Sequence, residues 1–107
     1  MKYKQLNKII QSQIKQVLKT RDDGQKEYAR TEDNVFANFQ RVAKYVGIVQ
    51  EQVLMVYLLK HIDGIMAHIN GHKSQREDVR GRITDAIVYL LLLRGMIDGD
   101  SINKRTK

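Results

Sequence analysis

The chain is predicted to fold as an all-α helical bundle of about four helices. Three observations predict it: apolar residues recur at three- and four-residue steps, no proline interrupts them in 107 residues, and glycines fall between the apolar runs. The length suits one domain, assigned to residues 1–100, with 101–107 read as a basic, disordered tail. No run of about 18 uninterrupted apolar residues exists, and Met1, Lys2, Tyr3 and Lys4 lead into polar residues rather than an apolar signal core. The expectation is a cytoplasmic protein with no membrane partner. The lack of Cys removes disulfides, thiol nucleophiles and zinc-cysteine sites together, and agrees with a reducing compartment.

In the first helix, Tyr3, Leu6, Ile10, Ile14, Val17 and Leu18 form one apolar stripe with lysines around it. The pattern weakens at Asp22, Asp23 and Gly24, and residues 25–30 read equally as a continuation or a separate turn. A second helix is predicted from about Asn34 to Val46. It carries Val35, Phe36, Phe39, Val42, Ala43 and Val46 on its core face, with Thr31 or Asp33 as N-cap and Gly47 as stop. The third runs from about Gln50 to Asn70, with Met55, Leu58, Ile62, Ile65 and Ile69 on its main stripe, and closes at Asn70 and Gly71. The fourth opens at a Ser74 to Glu77 capping box and is apolar on every side but Tyr89 from Ala86 to Leu93, the pattern of a central helix. Ile97 should end it, before Asp98 and Gly99. Two helices that are apolar beyond a single stripe carry more hydrophobic surface than so short a chain buries, so a homo-oligomer is expected.

The net charge of +7 is unevenly spread. Residues 1–21 hold six bases and no acid, the tail adds three bases, and residues 22–100 carry 10 bases against 12 acids. Solubility explains the two basic ends most simply, because little aromatic or glycine-rich recognition chemistry accompanies them.

Asp78, Arg82, Asp85 and Tyr89 step by four, three and four, one polar line entering the apolar half of the fourth helix. Arg82 bridging Asp78 and Asp85 accounts for part of that line. Asp85 is less well explained, since an acid one turn from an apolar segment is costly unless a cation, metal or donor meets it. On the third helix Lys60, His61 and Asp63 interrupt the apolar run, and Asp63 is expected to be semi-buried at one margin of the stripe. A carboxylate from each of two packed helices is the minimum for a magnesium site in a bundle, with Lys60 near enough to meet a phosphate. An Asp63 ion pair with Arg82 or Lys60 is the simpler alternative. His61, His68 and His72 are poorly spaced for zinc, because Asn70 and Gly71 should end the helix before His72. Glu27, followed by Asn38 and Phe39, places an acid and an amide near the junction of the first two helices. A solvated loop acid is the plainer account of Glu27. No glycine-rich phosphate loop, GxSxG elbow, HExxH or dinucleotide fingerprint is present.

Together these residues resemble a family of small phage and prophage proteins near the MazG-like all-α nucleoside triphosphate pyrophosphohydrolases and the nucleotide-modification-associated proteins. The likeness spans about Lys26 to Ile97. It rests on Glu27-Tyr28-Ala29 followed by Asp33, Phe36 and Asn38-Phe39, on Val56-Tyr57 with Lys60-His61-Ile62-Asp63, and on Gly81-Arg82-Ile83 with Asp85-Ala86-Ile87 and Tyr89-Leu90. The resemblance implies an oligomeric bundle in which carboxylates of neighbouring helices hold Mg²⁺ on a nucleotide's phosphates, and in catalytic members water releases pyrophosphate. It implies Asp85 and Asp63 as catalytic, with Glu27 as a third metal ligand. Lys60, His61 and Arg82 would meet phosphates, and Tyr89, Asn38 or Phe39 the base or sugar. The chain departs from the catalytic pattern: no ExxE occurs, and Arg82 stands where an ExxD ending at Asp85 needs its Glu.

Two readings follow. One is a nucleotide-handling protein of the cytoplasm, the host's if the chain is phage-encoded, that hydrolyses or simply binds a (deoxy)nucleoside triphosphate with Mg²⁺. The other is a helical interaction protein that grips a host or phage protein, or nucleic acid, through its basic first helix.

Overall fold

The structure, a computed structural model, describes the backbone of residues 1–29, 34–73 and 78–106, and the side chains of 1–27, 34–73 and 78–99. The described backbone is four α-helices with no strand, the all-α bundle expected.

Helix α1 spans Tyr3–Gly24, and the Gln5 side chain accepts the Lys2 amide at 2.7 Å, satisfying one of the donors that a helix start leaves open. It runs on into one wider π-helical turn, Gln25–Ala29, so this segment continues the helix rather than forming a separate turn. Helix α2 covers Ala37–Val46. It starts later than the apolar pattern predicts because the Asn34 side chain accepts the Phe36 amide at 3.1 Å, a local turn that holds Val35 and Phe36 outside the helix. Thr31 and Asp33, the expected caps, lie outside the described residues. Gly47 stops α2 in the left-handed region, φ +74°, with its own amide and that of Ile48 donating to the Ala43 carbonyl.

The chain then bends by 99° into α3, Gln50–Ile69. Gly71, φ +90°, closes that helix as Asn70 and Gly71 predict, and the His72 amide donates to the Ala67 carbonyl. Helix α4 spans Val79–Thr106. Asp78 caps it, accepting the Arg80 amide at 2.8 Å and its guanidinium at 3.2 Å. The Ser74 to Glu77 box lies outside the described residues. The helix does not end near Ile97: its backbone continues through Asp98 and Gly99 and takes in residues 101–106, where composition predicts a disordered tail. Two terms explain the overrun. Arg94 donates to Asp98 at 2.9 Å across the expected stop, and a helical Gly costs only about 1 kcal/mol against Ala.

Helices α3 and α4 form an antiparallel hairpin in which Gly64 lies beside Arg82, His61 beside Asp85 and Tyr57 beside Tyr89. Helix α1 runs parallel to α4, tied to it by Gln13 Nε2 donating to Thr84 Oγ1 at 2.8 Å. Helix α2 packs on α3, so α4 holds the central place between α1 and α3 that its apolar half predicts. Leu54 and Met96 are the most deeply buried side chains, packed with Phe39, Ala43 and Val53. The outcome is different for α1. Of its stripe only Val17 is buried, while Leu6, Ile10, Ile14 and Leu18 remain exposed. No single helix among the described residues is long and apolar enough to cross a membrane.

Candidate functional site

A cleft of about 700 Å³ opens between the end of α1 with its π-helical turn and the three other helices. Its base is aromatic. Phe39 from α2, Tyr57 from α3 and Tyr89 from α4 form a triangle with ring centroids 6.0, 6.3 and 6.2 Å apart, all within the range of favourable ring pairing. Tyr57 and His61 are one turn apart on α3, as Asp85 and Tyr89 are on α4, and the antiparallel register brings the two pairs to the same level. The His61 ring consequently lies 5.6 Å from that of Tyr89, at 32° between planes.

His61 is also the polar anomaly of the site. Its Nδ1 is buried and makes no hydrogen bond, and the nearest Asp85 carboxylate oxygen is 3.7 Å away, beyond hydrogen-bonding distance. Asp85 keeps one third of its side chain exposed, 33%, against 15% for His61. A carboxylate that only accepts therefore faces a ring nitrogen that can donate or accept, with a gap between them. An orphaned buried polar atom is uncommon enough in folded proteins to need a cause.

The rim is charged. Arg21 donates to the Gln25 side chain at 2.8 Å, and Glu27 and Asp23 line the same opening. The Lys19 ammonium, hydrogen-bonded to Asp23 at 2.8 Å, holds that carboxyl below its ordinary range.

Six residues singled out in the sequence line this one cleft: Glu27, Asn38, Phe39, His61, Asp85 and Tyr89. Lys60, Asp63 and Arg82 do not. Lys60 and Asp63 are exposed on α3. The semi-buried position expected of Asp63 is not found, because the residues that α3 buries, Val53, Leu54 and Leu58 among them, leave the Asp63 side of the helix open. Arg82 crosses to α3 instead, where its Cδ and guanidinium occupy the space that a side chain at Gly64 would need. Asp78, the other end of the expected Arg82 bridge, is engaged by Arg80. Among the described residues no group of three or more His, Cys, Asp or Glu side chains is placed to hold a metal ion.

Sequence reasoning missed Arg21 and Asp23, whose part in the cleft depends on α1 lying alongside α4. It used Tyr57 only within the motif that carries the resemblance and gave it no place in the site, although the four-residue step from Tyr57 to His61 places both on one helical face. No protein-family model matches the chain, and comparison with curated proteins and with solved structures finds no match for it.

Proposed function

We propose that the cleft binds a nucleotide or a related ligand with a planar base, and that the role of this chain is binding rather than hydrolysis. One observation carries the reading: an aromatic base beside a buried His61 nitrogen and the Asp85 carboxylate, both able to take partners from a ligand edge. In this reading the base stacks against the half-buried Tyr57 and Tyr89 rings, which Phe39 backs from the core, and its N–H groups or a sugar hydroxyl donate to Asp85. A ligand atom also satisfies His61 Nδ1. Phosphates lie toward Arg21 at the rim, where a guanidinium is well shaped for them. Mg²⁺ enters only as the counter-ion of those phosphates. A hydrolytic role is not favoured, since the paired acids that such chemistry uses are incomplete in the sequence and Asp63 lies outside the cleft.

The test is thermal unfolding against a panel of ribo- and deoxynucleotides with and without Mg²⁺, with pyrophosphate release measured in parallel. A ligand at about 100 times its Kd should add about 2.7 kcal/mol, a shift of several degrees. Asp85→Asn should weaken binding about tenfold or more, the loss of one charge-assisted hydrogen bond. No shift with any nucleotide in either condition sinks the proposal, and release of pyrophosphate overturns its non-catalytic form.

A second reading has its own support. Lys4, Lys8, Lys15 and Lys19 step by four, seven and four, so they line one exposed face of α1, opposite buried Val17. Such a row suits nucleic-acid phosphates. Binding to duplex DNA that falls steeply with added salt, and that Lys8→Glu with Lys15→Glu abolishes, would favour it. Salt-independent or absent binding would remove it.

A further inference from the structure

The side of the α3/α4 hairpin away from α2 is apolar along its whole length. On α3, Met55, Leu59, Ile62, Met66 and Ile69 recur at four- and three-residue steps and are all exposed, Ile69 by 67%. On α4, Ile83, Leu90 and Ile97 recur every seven residues and are also exposed, Leu90 by 52%. In an antiparallel pair with this register, the two rows fall on the same side of the hairpin. They continue into a groove of about 1270 Å³ between α1 and α4, where Ile10, Ile14 and Leu18 face Ile83, Ile87 and Leu91.

We infer that this face is the interface with a second copy of the chain, centred on α4. Area is the first argument. The chain exposes 8701 Å², whereas a folded monomer of 12.5 kDa should expose about 6,200 Å². The excess of about 2,500 Å² is what one partner contributes to a large obligate homodimer. Shape agrees: the radius of gyration is 16.1 Å, against about 13 Å for a compact chain of this length. The seven-residue row on α4 is the third argument, because residues at that spacing supply one of the two apolar positions by which like helices pair, and an isologous contact needs a surface that complements itself. The exposed rows Met55 to Ile69 on α3 and Ile83, Leu90 and Ile97 on α4 do not line the cleft, although the groove between α1 and α4 shares Thr20 and Asp85 with it.

Sedimentation equilibrium of the full chain at micromolar concentration tests the inference. The wild type should show twice 12.5 kDa or a higher multiple, Leu90→Glu with Ile83→Glu should show 12.5 kDa, and Tyr45→Ser, exposed on α2, should match the wild type. Unfolding of the wild type should also move to higher temperature as protein concentration rises, a readout that does not depend on the variant folding. A wild-type monomer with a concentration-independent transition overturns the inference, as does such a monomer that binds anionic lipid vesicles, or a Leu90/Ile83 variant that stays folded and keeps the wild-type mass.

Discussion

Two glycines on the hairpin make opposite predictions from their surroundings. A Cβ at Gly64 would meet Arg82 Cδ and Cζ at 2.5 and 2.6 Å, whereas one at Gly81 would meet nothing within 4 Å. Gly64→Ala must push Arg82 off α3, and overpacking of about 1–3 kcal/mol outweighs the roughly 1 kcal/mol of helix propensity gained. Gly81→Ala meets no such obstacle and should stabilise by about 0.4–1 kcal/mol. Denaturant unfolding of the two variants should therefore give midpoints on either side of the wild type. Asp78 makes a prediction in pH. The Arg80 backbone amide, more than its guanidinium, lowers the Asp78 carboxyl below its ordinary 3.8. A lowered folded value means that its contribution is fully present above pH 3.8 and is lost as pH falls from there through the folded value. Asp78→Asn keeps a capping oxygen but cannot titrate, so its melting temperature should fall less than that of the wild type on acidification below pH 4, by a few degrees at most. Equal acid losses in the two proteins would refute this role of the cap.

At the scale of elements, α1 is held to α4 through Val17 and one buried polar tie. Thr84 Oγ1 accepts from Gln13 and donates to the Arg80 carbonyl at 3.0 Å. Thr84→Val keeps the shape and removes both bonds, leaving Gln13 without that acceptor. The expected loss is about 1 kcal/mol in equilibrium unfolding, with faster hydrogen exchange in the first three turns of α1. Unchanged exchange there would mean that α1 is held by other contacts. The helices themselves were largely legible, because apolar period and glycine stops act locally: Gly47 and Gly71 close α2 and α3 where their residue types predict. The starts were less so. Asn34 ahead of α2 and Asp78 ahead of α4 act through their side-chain oxygens, and several neighbouring residues could have served equally well. Asp63 shows the deeper limit: a helical wheel identifies the margin of a stripe but not which margin a neighbouring helix will cover.

Across the whole molecule, the pieces of the cleft were legible as residue types and not as a set. Asp85 stood out as an acid that an Arg82 bridge explains only in part, and His61 as a polar break, yet only the antiparallel register of α3 and α4 brings them to 3.7 Å. Glu27, Asn38 and Phe39 join them because the π-helical turn and α2 lie over that end of the hairpin. The exposed apolar rows make the complementary point. Period shows that a face is apolar, and the exposure of Leu59, Ile69, Leu90 and Ile97 is what shows that the described chain does not cover it.

The ring triangle at the base of the cleft gives the protein an optical property. The chain has no tryptophan and five tyrosines, so tyrosine dominates its ultraviolet emission, and Tyr57 and Tyr89 are two of the five. A base stacked against them would quench that emission without any label, and Tyr89→Phe would remove much of the signal while leaving the stacking surface in place. Occupancy of the cleft can thus be followed by the unmodified protein's own fluorescence.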